Sequence, residues 1–335
     1  MRAWQIHQLG EPRDALRLAE IPDPEPALGQ VLVRVLGAAA NFPDVLMCQG
    51  SYQVRPPLPF TPGLELCGEV VALGSGVTGV AVGDRVIGGP ALPFGAYAEL
   101  AVMDAEAILP APERLDDAEA AAFFITYQTG WFGLHRRAGL AAGETLLVQA
   151  AAGGVGSGAV QLGKAAGARV IGVVGGERKA EVARALGADV VVDRLSQDFV
   201  QVVKEVTDGR GADVVYDSVG GEAYARSTKC VAFEGRILVV GFASGQIPTA
   251  ALNHALVKNY SILGLHWGLY QRKEPQAVRD CHALLSKLAA AGLIRPLISE
   301  RLAFTEVPAG LQRLADGSTT GRLVFLPGPH PQPSP

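Results

Sequence analysis

The feature that most constrains this chain is an alternation that begins near residue 119. Apolar, β-branched runs (LLVQA, RVIGVVG, DVVVD, DVVYDSVG, RILVVGFAS) take turns with helix-compatible segments (AVQLGKAAG, RKAEVARALG, DFVQVVKEVT). Regular alternation of this kind dictates βαβ units and a doubly wound parallel sheet covered on both faces. The texture before it differs. From residue 1 to 118, short apolar strands are broken by Gly and Pro, as in QVLVRVLGAAA, LCGEVVALGSGV and VGDRVIG, a density of turns that predicts an antiparallel barrel. After residue 265 comes an amphipathic helix, PQAVRDCHALLSKLAAAG, and a last strand, GRLVFLP, expected to return to the first domain. The expected division is therefore 1–118 with 265–326, an inserted domain over 119–264, and a proline-rich tail over 327–335.

Ligands of doubly wound sheets bind beyond the carboxyl ends of the strands, where the winding reverses. A cleft between the two domains is the expected place for chemistry. The stretch QAAAGGVGSG, residues 149–158, lies between the strand TLLV and a helix and carries Ala151, Gly153 and Gly156 in the spacing AxGxxG. A dinucleotide fingerprint asks for glycine at all three places, for the tight turn, the approach of the pyrophosphate and close helix packing. Such a bend alone needs no ligand. Set between a strand and a helix, it aims free N–H groups and the positive end of the helix dipole at a phosphate.

The next strand ends at Val174, Gly175 and Gly176, where NAD sites place an acid for the ribose 2′-hydroxyl. No acid stands there. Arg178 and Lys179 follow, with Glu177 as an awkward neighbour, so the expected cofactor is NADPH/NADP, although both cations also suit a solvated first helical turn.

Composition narrows the partners. The net charge is −4 and 49% of the residues are hydrophobic, so nothing favours nucleic acid or an anionic membrane, and small molecules become the expected ligands. No apolar run reaches membrane length, and the N-terminus lacks a basic flank followed by an apolar block, which predicts a cytoplasmic protein. Cys48, Cys67, Cys230 and Cys281 are far apart, form no CxxC and are expected to be buried thiols.

Several segments together resemble the medium-chain dehydrogenase/reductases, and within them the zinc-free quinone oxidoreductases related to zeta-crystallin. They are AAANFPDVLMCQGSY (38–52), PFTPGLELCGEVVALGSGV (59–77), VGDRV (82–86), AAAGGVG (150–156), DVVYDSVGG (213–221), GFASGQIP (241–248) and KNYSILGLHWG (258–268). The resemblance implies a GroES-like β-barrel catalytic domain, an inserted Rossmann domain and a homodimer or homotetramer. Where the zinc-dependent branch has a catalytic Cys and His, this chain has Asn41 and Leu64, neither of which supplies the thiolate or imidazole that zinc takes, so no metal is expected.

Carried over from the family, cofactor contacts fall on Asn41, Trp131, Gly153, Gly154, Val155, Gly156, Gly175, Lys179, Arg194, Phe242, Ser244 and Arg322. Arg194 replaces an aromatic residue, and Leu46 replaces a tyrosine that commonly helps to close the nicotinamide pocket. The implied activity is hydride transfer from NADPH to a quinone or similar conjugated carbonyl, with Asn41, Asp44 and Tyr52 orienting the acceptor. Asn41 and Asp44 also suit the start of a short helix, Tyr52 a rim, and Trp267 a packed aromatic. The alternatives are reduction of an activated double bond in an enone, acrylate or enoyl thioester, and a non-enzymatic NADPH- or RNA-binding role.

Overall fold

A computed structural model describes residues 1–328, so that only 327 and 328 of the expected tail fall within it. The chain divides into two compact units. One is Met1–Ile125 together with the stretch from Arg295 onward, and the other is Thr126–Ile294.

The first unit is built on a seven-stranded sheet whose long central strand, Gln30–Ala39, pairs antiparallel with Leu66–Leu73, Leu100–Asp104 and Arg322–Leu326. Over Gln30–Val35, buried and half-buried residues alternate along that strand, as one-sided burial requires. The buried face carries Val31, Val33 and Val35, packed with Phe60, Leu66, Val70, Tyr97 and Phe325. One pair departs from the antiparallel expectation. Ile298–Ala303 lies parallel to Arg322–Leu326, because the helix Val307–Ala315 carries the chain back between them.

The second unit holds six parallel strands. In chain order these are Thr145–Val148, Arg169–Val174, Val190–Asp193, Ala212–Asp217, Val231–Val239 and Ser261–Gly264, and across the sheet they run third, second, first, fourth, fifth, sixth. The winding reverses between Thr145–Val148 and Ala212–Asp217, which pair through Val214 and Leu146. Both strands are buried throughout, and their continuous apolar text reflects helices on both faces.

The return to the first unit comes at Arg295, not at 265. The helix Pro275–Ala290 and the short helix before it, Gly268–Lys273, belong to the second unit. Gln128 donates to the Val278 carbonyl at 3.1 Å, Phe132 packs on Tyr270 with ring centroids 4.3 Å apart, and Arg136 pairs with Glu274 at 2.7 Å. The entry point likewise falls at Thr126, since the short helix Asp117–Ala121 lies wholly in the first unit. Among the described residues no helix is long and apolar enough to cross a membrane.

Candidate active site

The central strand Thr145–Val148 delivers the chain to the turn at 149–153, beside the point where the winding reverses. Ala150 takes φ +51°, the left-handed region, and Gly153 donates to its carbonyl at 2.8 Å. Such a backbone costs a non-glycine residue about 1–2 kcal/mol. The left-handed corner thus falls one residue before the fingerprint alanine. Ala151 is small for another reason: it is fully buried, and a Cβ built on Gly172 of the next strand would approach its Cβ to 2.9 Å.

The helix Gly154–Ala165 starts here with Gly153 as its cap, a residue with no side chain to accept from the first N–H groups. Gly154, Val155 and Gly156 supply three of those donors, which by helix geometry have no acceptor within the helix. A Cβ on Gly156 would stand 2.1 Å from the Ala150 carbonyl oxygen, so the helix enters against the turn at a distance that only glycine allows. A strand, a tight turn and a bare helix start form a cradle for an anion.

Two more loops leave the carboxyl ends of the neighbouring strands. Asp217, nearly inaccessible, accepts from the N–H groups of Val219 and Gly220 through Oδ1, both at 2.9 Å. Its Oδ2 is buried with no hydrogen-bond partner among the described residues, and burial raises its pKa. This loop is clamped to the one bearing Phe242 and Ser244: Ala243 donates to Ser218 at 3.1 Å and Ser244 to Val219 at 3.0 Å. Phe242 is half-buried, while Ser244 is exposed and accepts from the Gln246 N–H at 3.3 Å.

At the end of the second strand, Gly175 faces the guanidinium of Arg194. A Cβ on Gly175 would lie 3.2–3.4 Å from the Arg194 nitrogens and central carbon. Lys179 is half-buried on the same patch, and its pKa is lowered by burial and by the charges of Arg194 and Arg178. Glu177 turns away and pairs with Arg184 at 2.6 Å. Asp193 binds the N–H groups of Gly176 and Leu195 at 2.8 and 3.0 Å, which hold its carboxyl below the usual range. Lys179 and Arg194 converge on Gly175, the Asp193 carboxylate being engaged by the N–H groups of Gly176 and Leu195, and a bound phosphate would relieve the repulsion between the cations.

In the first unit the short helix Phe42–Cys48 begins at Asn41, whose N–H donates to Asp44 Oδ2 at 2.8 Å. The capping expected of these two residues is therefore present in this half. The Asn41 amide goes elsewhere, to the Ala39 carbonyl and to Glu65 Oε2, both at 3.1 Å. Glu65 also accepts from the Ile125 N–H at 2.7 Å and from Arg322 at 2.5 Å. Asp44 is fully buried and takes the Tyr97 hydroxyl at 2.7 Å, while its Oδ1 has no hydrogen-bond partner among the described residues. Burial pushes its carboxyl up to about 7 against the pull of Tyr97, the Asn41 N–H and Arg322. Burial also raises Glu65, which Arg322, Asn41 and Ile125 hold back. Tyr52 is partly buried, and its pKa is raised by burial and then by the charge of Asp44.

Thus Asn41, Asp44 and Tyr52 do gather in one neighbourhood. Arg322, expected to touch the cofactor, is 3% exposed and paired with Glu65. Trp131 is half-buried at the end of its helix, edge-on to Phe132 with centroids 5.1 Å apart, and Trp267 is packed at 8% exposure. Leu64 packs against the core, and among the described residues no three of His, Cys, Asp or Glu converge as metal ligands. Sequence reasoning overlooked Glu65, Tyr97, Asp193 and Asp217. Glu65 stood inside the GLE segment already singled out, whereas Tyr97 gave no local signal.

Two family descriptions match the chain: "Alcohol dehydrogenase GroES-like domain" over residues 27–113 and "Zinc-binding dehydrogenase" over 154–283. It is 39% identical over 298 residues to the quinone oxidoreductase-like protein 2 homolog of Nematostella vectensis, covering 88% of this chain and 81% of that one. The crystal structure of Escherichia coli quinone oxidoreductase complexed with NADPH superposes with a TM-score of 0.91 at 30% identity, covering 98% of this chain and 100% of that one. A probable oxidoreductase from Mycobacterium abscessus reaches 0.87 at 37% identity, with 98% and 99% covered.

Proposed function

Because the chain belongs to the quinone oxidoreductase branch of the medium-chain dehydrogenase/reductase family, we propose that it is an NADPH-dependent reductase of quinones or similarly conjugated carbonyls. The observation that carries the cofactor is the cationic patch of Lys179 and Arg194 around Gly175, next to a glycine turn into which side chains do not fit. NADP(H) suits both features. The helix start at Gly154–Gly156 would hold the pyrophosphate, and Lys179 with Arg194 the 2′-phosphate. Phe242 and Ser244, on the loop clamped beside the turn, and Trp131 complete the proposed cofactor contacts.

NADPH supplies the hydride, and the residues of the chain need only position the acceptor and meet the charge that grows on its oxygen. We assign the growing charge to the Tyr52 hydroxyl and the positioning to Asn41, whose two amide N–H groups already go to Ala39 and Glu65. The Asn41 amide is fixed by Glu65, which Arg322 fixes in turn, so its orientation is settled before substrate arrives. Burial raises the Asp44 carboxyl to about 7, so that it is about half protonated at neutral pH, which lessens the cost of keeping it buried beside Tyr97 and Tyr52. A quinone gives a stabilised phenolate as product and asks for little acid help. Asn41 and Leu64 in the two ligand positions support turnover without a metal.

The expected homodimer or homotetramer is supported by the edge strand Ser261–Gly264 and by Leu252 and Leu256, each about three-quarters exposed beside it. The activity is tested by following NADPH oxidation against a panel of quinones and enones. Turnover of quinones, undiminished by chelators, is expected. Turnover of enones alone, or none with either class, would overturn the reading.

A further inference from the structure

At the opposite end of the parallel sheet from the glycine turn, the second unit has a cavity of about 460 Å³. It lies at the amino ends of the strands Ala212–Asp217 and Val231–Val239, whereas the glycine turn leaves a carboxyl end. Its charged lining is Lys204, Arg210, Lys229 and Lys258, and its apolar lining includes Phe233 and Val257. The cations come from four separate pieces of chain. Lys204 ends the helix Phe199–Val206, Arg210 sits in the turn before the fourth strand, Lys229 follows the helix Gly221–Ser227, and Lys258 ends the helix Leu252–Lys258.

These charges are poorly compensated. Arg210 pairs with Asp213, but among the described residues Lys204, Lys229 and Lys258 make no ion pair. Glu205, the acid next to Lys204, accepts from Gln201 at 2.8 Å. Lys258 is tied down by the Thr228 carbonyl at 2.8 Å, half-buried, and its pKa is lowered by burial and then by the charge of Lys204. Lys258 and Lys204 both bear on the buried Cys230 thiol, which also lines the cavity. Holding several ammonium groups around one concavity is unfavourable unless an anion shares it.

Helix ends hold two of these cations in place. The last turns of two helices, those of Lys204 and Lys258, present carbonyls that favour these cations and fix where they sit. Beside them Phe233 and Val257 are 70% and 75% exposed, a large apolar surface with no cover within the unit. A flat ring has somewhere to lie next to a cluster of cations. The volume falls within the range of small-ligand sites.

We propose that this cavity is a second anion site, separate from the cofactor turn, for a small molecule of the nucleoside diphosphate class, its phosphates among Lys204, Lys229 and Lys258 and its base on Phe233. The proposal does not depend on the reductase reading, since no residue of the glycine turn or of the Asn41 cluster takes part.

The test is calorimetric titration of the intact protein, with and without saturating NADPH, using inorganic pyrophosphate and ADP as probes. Pyrophosphate should bind the NADPH-saturated protein in a salt-sensitive way. The exposed-lysine double variant Lys204→Gln/Lys229→Gln should weaken it about tenfold or more while leaving NADPH affinity unchanged. ADP should bind more tightly than pyrophosphate, and Phe233→Ser should erase that margin. The proposal is overturned by absence of binding to NADPH-saturated protein, by equal binding to the double variant, by ADP no tighter than pyrophosphate, or by binding of single-stranded RNA where neither small probe binds.

Discussion

The glycine turn and the Asn41 cluster solve opposite problems. At the turn, the proposed function rests on what is missing: side chains at Gly153 and Gly156 and a side-chain cap at Gly153. In the Asn41 cluster almost every polar atom is already used, with Glu65 alone accepting from three donors. In the proposed reading the first region binds through backbone and cationic side chains. The second positions through a closed network. Substitutions should therefore act on affinity in one region and on stability or turnover in the other.

The largest effect is expected in the network. Glu65→Gln leaves the Arg322 guanidinium buried without its carboxylate, and breaking a buried pair in this way costs about 3 kcal/mol or more. Urea unfolding of the variant should show the loss, and an unchanged midpoint would show that the pair is not structural. Next comes Gly156→Ala, whose methyl would run into the Ala150 carbonyl. NADPH affinity should fall roughly 100-fold, about 2.7 kcal/mol, with the circular dichroism spectrum retained. Affinity within threefold of wild type would mean that the turn has slack which the geometry does not show.

Asp44 gives a pH-dependent version of the contrast. Its pKa rises from 3.8 to about 7 on folding, so the folded state holds the proton more tightly. Its contribution is therefore most favourable at low pH and declines as pH climbs from about 4 to 7, by at most about 4 kcal/mol. Carboxyls such as Asp189 and Asp193 are lowered and work in the other direction, so only the difference from Asp44→Asn is diagnostic. Relative to wild type, that variant should gain stability as pH rises through this window, and parallel stability curves would refute it. The smallest effect is expected for Tyr52→Phe, about tenfold or less in kcat with a quinone, measured with NADPH affinity unchanged. A loss confined to NADPH binding would move Tyr52 to the cofactor side.

How far the sequence revealed these regions follows the same contrast. The turn was legible because strand, glycines and helix are neighbours in the chain, and the missing acid at Gly175 lies at a fixed offset from them. The network was not, because Glu65 and Arg322 are 257 positions apart and Tyr97 meets Asp44 across 53. Only folding brings such partners together. The helix Pro275–Ala290 was legible as a helix, yet its apolar stripe does not say which unit it packs on, and the return to the first unit was placed at 265 when it comes at Arg295. The corner at Ala150 was hidden for a local reason: alanine carries no mark of a left-handed backbone.

The central claim, that the cations around Gly175 select a phosphorylated dinucleotide, is tested most directly by equilibrium titration of NADPH and of NADH into wild type and Lys179→Ala. The account predicts tighter binding of NADPH by wild type. In the variant, losing a charge-assisted contact worth roughly 1.5–3 kcal/mol should weaken NADPH by about 10- to 100-fold and leave NADH nearly unchanged. Equal losses for both cofactors, or a wild type that binds NADH as tightly as NADPH, would contradict it.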